Sequence, residues 1–363
     1  MTMQFPEGQA IVYCEGAFNT PNGKTAHGLV RRTRRYELLS IIDSNHAGAD
    51  AGEVLDGRPV GVPVVASLAE ALDRAAGEGR PATHFVIGLA PDGGRLPRAA
   101  RIVVEQALRA GLHVDSGLHD FLSEDASLAA LAEANGVRIR DVRRPPDRSE
   151  LHFFSGVIEA VGSTRIALLG TDSAVGKRTT AWKIVEGLEA RGRKVEMIGT
   201  GQTAWMQGVR FGILLDSLVN DFLTGEIEQV IHRAWVEARP DFMVLEGQGS
   251  LMNPAYPGGY ELLAAGRPHA VILQHAPMRR DYDGFPGYPI QPLSDQIRAI
   301  ELISGRPVVA LTLNHEGLAR DEIPAACAAM AEETGLPVVD PLHGDLGPLL
   351  DLIESLGAMG EAK

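Results

Sequence analysis

The residues best placed to do chemistry lie between Gly170 and Thr180, in the segment GTDSAVGKRTT. An apolar run, RIALLG, leads into it. The segment TTAWKIVEGLEARG, Thr179 to Gly192, leads out with an apolar stripe of Trp182, Val185 and Leu188. Strand, glycine-rich turn, lysine, hydroxyl residues and helix in that order are the context in which a phosphate loop forms. Gly170 and Gly176 let the backbone curl so that the N–H groups of Thr171, Asp172 and Ser173 face one anion, and Lys177 adds a compact positive charge. Two departures from the common loop matter. Five residues rather than four separate the glycines, and Arg178 stands where a hydroxyl residue ordinarily reaches magnesium. Either Thr179 takes over that hydroxyl role, or the loop, with Thr180 among its cofactor-binding residues, holds phosphates without magnesium and Arg178 strengthens a purely electrostatic grip on a diphosphate. The bland alternative is a plain strand-to-helix turn carrying a surface lysine.

Other candidates end apolar runs elsewhere. FMVLE followed by GQGSL, Phe242 to Leu251, puts the Glu246 carboxylate at a strand end beside exposed backbone, as an acid/base or metal-holding position requires. A carboxylate capping the next turn is the competing reading. The glycines, Gln202 and Thr203 of GTGQTAW could line a polar pocket, with Trp205 stacking on a base or closing the site. Asp216 and Asp221 are five apart, so they share no helix face well and read better as caps or ion-pair partners. Asn314 ends VVALTLN and reads equally as a base-reading residue or an Asx turn.

These candidates require a scaffold of strands with crevices at their C-terminal ends. AIVYCE, YELLSIID, GVPVV, THFVIGLA and LHVDSGL read as buried strands, alternating with the helical segments Ser67–Ala76 and Pro97–Gly111. Apolar strands separated by helices imply a parallel sheet covered on both faces. After DVRRPPDRSE, Asp141 to Glu150, a second series follows: STRIALLG, KVEMIGTG, DFMVLEGQG, HAVILQH, RPVVALTLN and LPVVD. The expected class is α/β, with a Rossmann-like domain over 1–148 and a P-loop NTPase-like domain over 149–363. The first turn, CEGAFNTPNGK, lacks G-x-G-x-x-G spacing, so the Rossmann-like half is not expected to use NAD. The longest aperiodic stretch of the second half runs from HAPMRRDYDGFP through GYPIQPL to Leu293, and ordered loops of that length often carry function.

Composition narrows the classes. With 34 basic and 47 acidic residues among 363, a net charge of −13 argues against general nucleic-acid binding. The basic patch RRTRR, Arg31 to Arg35, reads as a solvated helix or strand end. No apolar run approaches a membrane span, and MTMQFPEGQA lacks the pattern of a secretory signal. Cys14 and Cys327 suggest neither a disulfide framework nor a zinc site, so the expected compartment is the cytoplasm.

Taken in order, GKTAHGLVRRTRRYELLSIIDSNHAGADAGEVLDG, GTDSAVGKRTT, GTGQTAW, DSLVNDF and EGQGSL resemble a bacterial and archaeal family that joins an N-terminal Rossmann-like domain to a C-terminal phosphate-loop domain. Its characterised branch consists of D-glutamate N-acetyltransferases. The resemblance spans essentially the whole chain and implies acetyl transfer from acetyl-CoA to the amino group of D-glutamate or a related D-amino acid. Under that implication acetyl-CoA is the cosubstrate and its diphosphate lies on the loop. Glu246 is then the base, and Gln248 with the Gly247 and Gly249 amides is the candidate oxyanion hole. Lys24, Arg279 and Arg280 are the cations available to an acidic acceptor. Lys24, Thr25 and His27 sit in PNGKTAHGLV, where a lone histidine is ordinarily a capped or surface residue. Their place in the family-like stretch marks a candidate acceptor site between the domains, with His27 as a second candidate base. The competing readings are an ATP- and magnesium-dependent enzyme that activates a carboxylate, of the dethiobiotin-synthetase type, and a nucleotide-sensing regulator. The expected partners are small molecules and further copies of the chain in a homo-oligomer.

Overall fold

Short runs of Ile, Val, Leu and Phe buried on both faces form the strands of two parallel sheets. The first sheet contains β1 (Gly8–Tyr13), β2 (Tyr36–Ile42), β3 (Val64–Val65), β4 (His84–Ile87), β5 (His113–Ser116) and β6 (Ile139–Asp141), in the order β3-β2-β1-β4-β5-β6. Every pair in it is parallel. This is the doubly wound Rossmann order, which reverses direction between β1 and β4 and opens a crevice beyond their C-terminal ends. Ser67 caps the helix Leu68–Gly77 by accepting from Glu70 N, and Asp125 caps Ala126–Ala134 through Ser127 N and Leu128 N.

The second sheet contains β7 (Thr164–Gly170), β8 (Val195–Gly199), β9 (Phe211–Gly212), β10 (Phe242–Glu246), β11 (Ala270–His275), β12 (Val308–Leu313) and β13 (Val338–Val339), in the order β13-β12-β11-β7-β10-β8-β9. Its pairs are also all parallel. The central β7 is buried along its whole length between β10 and β11. The helix Lys177–Ala190 lays Trp182, Val185 and Leu188 into the core, where each buried side chain contributes about 1.5–3 kcal/mol.

The computed structural model describes residues 5–360 of the chain. These fall into two compact units, one comprising residues 5–145 with Gln202–Val209 and the other Pro146–Gly201 with residues 210–360. The expected boundary after residue 148 compares with a break after Pro145. The return of 202–209 to the first unit has no counterpart in the sequence reading. Two edge strands also lay outside that reading: β6, whose polar Arg140 and Asp141 break the apolar run, and β9, with only two residues. Among the described residues no helix is long and apolar enough to cross a membrane, and both cysteines are free thiols.

Arg35 corrects the expectation of a solvated basic patch. It is fully buried and pairs with Glu7, and its Nε donates to Trp205 O at 2.8 Å. The indole of Trp205 carries the guanidiniums of Arg35 and Arg140, 3.6 and 4.5 Å from its ring centroid. The ring expected to stack on a base or close a site is thus engaged by two cations of its own unit.

Candidate active site

At the end of β7 the backbone turns through residues 171–176 into the helix beginning at Lys177. Gly176 takes φ +96° and Ala174 φ +51°, left-handed conformations that fold the loop back on itself. A Cβ on Gly170 would lie 3.0 Å from Lys177 Nζ, so glycine at the strand end leaves room for the ammonium. Lys177 Nζ donates to Asp172 O at 2.7 Å and Gly249 O at 2.8 Å. Burial lowers its pKa to about 8, against the attraction of Asp172 and Glu246. The result is a buried cation beside a helix N-terminus, the combination that binds phosphate.

Asp172 organises the surroundings of that loop. It is fully buried, and its Oδ1 accepts from Ser173 N at 2.6 Å and Asn253 Nδ2 at 2.8 Å. Its Oδ2 accepts from Arg279 Nη1 at 3.0 Å and Asp283 N at 2.9 Å. Arg279 also donates to the carbonyls of Ser173 and Ala174 and pairs with Glu316. This corrects the assignment of Arg279 to an acidic acceptor, because its planar fork is already divided between the phosphate loop and Glu316. Arg280 is exposed and holds Ile290 N through its backbone carbonyl.

Glu246 ends β10, in register with Leu168 of β7. Its Oε2 accepts from Thr200 N at 2.9 Å, and Thr200 Oγ1 returns a bond to Glu246 O at 2.9 Å. Arg178 Nη1 lies 3.8 Å from Oε1. Burial raises the carboxyl above its ordinary range, while Arg178, the Thr200 and Gly201 amides and Lys177 pull it back down. The residue after the loop lysine therefore directs a guanidinium at the strand-end carboxylate. Thr179 is half-buried beside it on the helix. Gln248 lies against Gly201, its Nε2 only 2.7 Å from where a Cβ there would sit. The Gly247 amide donates to Leu168 O at 2.9 Å and is thereby removed from the expected oxyanion hole, whereas Gly249, at φ +51°, turns its carbonyl to Lys177.

Other predicted residues serve the loop from behind. Thr180 Oγ1 donates to Gln274 Oε1 at 2.6 Å, which holds this fully buried hydroxyl in the core. Thr171 Oγ1 meets His275 Nδ1 at 2.8 Å, and burial lowers the pKa of His275 to about 4, so the ring is neutral. Asn314 Nδ2 donates to Val175 O at 2.9 Å and its Oδ1 accepts from Glu316 N, so this amide shapes the loop rather than reading a base.

In the first unit Lys24 and Thr25 open the helix Lys24–Arg31 after the β1 turn, at the reversal of strand order. Thr25 Oγ1 meets Thr203 Oγ1 at 3.0 Å, and Gln202 packs against Gly117 beyond β5. Lys24 is exposed, while Thr25, Gln202 and Thr203 are buried. His27 Nε2 lies 2.7 Å from Phe18 O, and a carbonyl only accepts, so that nitrogen carries a proton and is no base. Sequence reasoning missed Asn253, whose Asn-Pro step signals a turn, and Gln274 inside a buried strand, for which no local signal exists.

The family model described as "Domain of unknown function (DUF1611_C) P-loop domain" matches residues 152–350, more than half the chain, and the DUF1611_N Rossmann-like model matches 44–145. The chain belongs to the DUF1611 family. A protein of Tritonibacter scottomollicae named D-glutamate N-acetyltransferase is 33% identical over 287 residues, covering 76% of this chain and 82% of that one. A protein of the same name from a Pseudoalteromonas species is 28% identical over 269 residues, covering 72% and 78%. The crystal structure of a DUF1611 family protein from Anabaena variabilis superposes with a TM-score of 0.87 at 30% identity, over 96% of this chain and 100% of that one. The two-domain Rossmann-like and P-loop architecture expected from the sequence is thus that of the DUF1611 family.

Proposed function

We propose that this protein is an N-acetyltransferase that moves an acetyl group from acetyl-CoA to the amino group of a D-amino acid, D-glutamate first. The observation that carries the reading is the Arg178–Glu246 pair beside Lys177. A cation occupies the position of the magnesium hydroxyl and faces a carboxylate whose proton affinity burial has raised. The names of the two DUF1611 relatives support the same reaction. Both oxygens of Asp172 are taken by protein donors, so this carboxylate is not free to hold magnesium.

In this mechanism the helix N-terminus and Lys177 bind the diphosphate of the cosubstrate, because the Thr171 and Ser173 amides expected to face it donate instead to Gln274 O and Asp172 Oδ1. Glu246 accepts a proton from the acceptor's ammonium, freeing the amine to attack the thioester carbonyl. A carbon–nitrogen bond forms, the tetrahedral oxyanion collapses, and the carbon–sulfur bond breaks to release CoA thiolate. That thiolate takes up the proton the amine loses as it becomes an amide. Gln248 is the proposed side-chain donor to the oxyanion.

The test is an assay containing acetyl-CoA, D-glutamate and EDTA, with no ATP, read by thiol release and by mass spectrometry of the N-acetyl product. The expected result is amine-dependent release that EDTA does not suppress. Turnover that strictly requires magnesium and ATP would overturn the reading. It would favour the ATP-dependent alternative, which the place of Glu246 at a strand end beside the loop lysine also fits.

A further inference from the structure

The long loop between β11 and the helix Leu293–Ser304, together with the turn after β10, presents a group of aromatic rings that the chemistry above leaves unused. Tyr256 and Tyr288 are 48% and 56% exposed, although both lie in ordered turns. Phe285 stands between them, its centroid 6.1 Å from Tyr256 and 6.4 Å from Tyr288, at interplanar angles of 69° and 82°. The three rings thus meet edge to face.

Both turns are fastened to the phosphate loop by one side chain. Asp172 Oδ1 takes Asn253 Nδ2, and Asn253 Oδ1 in turn accepts from Ala255 N and Tyr256 N at 2.8 and 2.9 Å. Asp172 Oδ2 takes Asp283 N, two residues before Phe285. The Phe285 turn is closed by Tyr288 N donating to Phe285 O, Gly287 N donating to Asp281 Oδ2 and an antiparallel bridge between Asp281 and Pro289. The Tyr256 backbone lies against the Gly249 turn. A Cβ on Gly249 would stand 3.4 Å from Tyr256 Cβ, and the Gly249 carbonyl receives Lys177 Nζ.

A phosphate-binding loop with exposed, pre-positioned aromatic rings anchored to it matches a ligand that joins phosphate to a flat heteroaromatic ring. Such rings stack on aromatic side chains through their faces and need no hydrogen-bond readout. We propose that Tyr256, Phe285 and Tyr288 form the platform that takes the purine ring of an adenine nucleotide whose phosphates lie on the Lys177 loop. The proposal rests on the acetyl-CoA reading for the identity of that nucleotide, and on the geometry alone for its chemical class.

The experiment is calorimetry of the full chain and of Tyr256→Ala, Tyr288→Ala and Tyr288→Trp against adenosine 3′,5′-bisphosphate, ATP, 4′-phosphopantetheine and inorganic pyrophosphate. Each alanine variant is expected to weaken both adenine ligands by about tenfold, with pyrophosphate and phosphopantetheine staying within about twofold, and the tryptophan variant to retain wild-type affinity. Unchanged adenine binding in both alanine variants would overturn the platform. So would an equal loss of pyrophosphate, which would mean that the rings only brace the loop, or a selective loss of phosphopantetheine, which would move them to the acyl-carrying arm. If the protein fails to acetylate any amine yet the alanine variants lose the bisphosphate, the transferase reading falls and the platform stands. If it acetylates D-glutamate with alanine-variant affinities unchanged, the converse holds.

Discussion

Lys177 Nζ and the carbonyl oxygen of Gly249 stand 2.8 Å apart, joining the phosphate loop to the glycine-rich turn that follows Glu246. One ammonium thus ties the proposed diphosphate cradle to the strand end carrying the proposed base. Losing its charge-assisted contact in Lys177→Ala should cost about 1.5–3 kcal/mol, or roughly ten- to a hundredfold in acetyl-CoA affinity. Calorimetry that finds affinity unchanged would remove the loop from the binding site.

The same lysine sets a pH dependence. Its pKa, lowered to about 8 by burial, means that the ammonium discharges as pH rises through that value. A bound diphosphate favours the charged form, so binding above pH 8 should take up a proton, and affinity should fall by up to about tenfold per pH unit. Calorimetry in buffers of different ionisation heat measures the uptake. A dissociation constant flat from about pH 7.5 to 9.5 would contradict this assignment.

For Glu246→Gln the expected result is acetyl-CoA binding near wild type with turnover reduced by roughly 10²–10⁴, the usual contribution of a positioned base. Because burial raises the Glu246 pKa, the acid limb of the wild-type turnover profile should lie above the ordinary carboxylate range. Turnover falls as the pH drops through that limb, since the protonated carboxyl accepts nothing. A variant that turns over normally but binds acetyl-CoA poorly would make Glu246 a binding group.

Asp172→Asn keeps the shape of the side chain but removes the charge that faces Arg279 from a fully buried position. Breaking such a pair costs about 3 kcal/mol or more, which corresponds to a fall of roughly 6–12 °C in the melting midpoint of a unit this size. Circular dichroism melts test this, and a midpoint within about 2 °C of wild type would show that Asp172 is no hub.

Much of this molecule was legible in its sequence because its signals are local. The strand RIALLG, the glycines at 170 and 176, and Lys177 lie within a short stretch, and the backbone there does what those residue types require. The carboxylate of Glu246 was legible for the same reason, as the polar end of an apolar strand. What escaped depends on partners distant in sequence. Nothing near Arg279 announces that it will close on Asp172, 107 residues away, and its type and exposed-looking context favour a substrate cation. Arg35 reads as part of a solvated patch until Trp205, 170 residues on, is placed against it. The Gly247 amide is consumed by pairing with Leu168, which only the register of β7 and β10 reveals.

The return of Gln202–Val209 to the first unit bears on how such a gene could arise or be divided. A chain that changes unit after Pro145, after Gly201 and again after Val209 has no single cut point that yields two whole pieces. A fragment ending at Pro145 would lack Trp205 and leave the buried Arg35 guanidinium without the ring and the carbonyl that hold it. Recombination that exchanged one half for an unrelated partner would inherit the same defect. The two halves are therefore expected to travel through genomes as one inseparable reading frame.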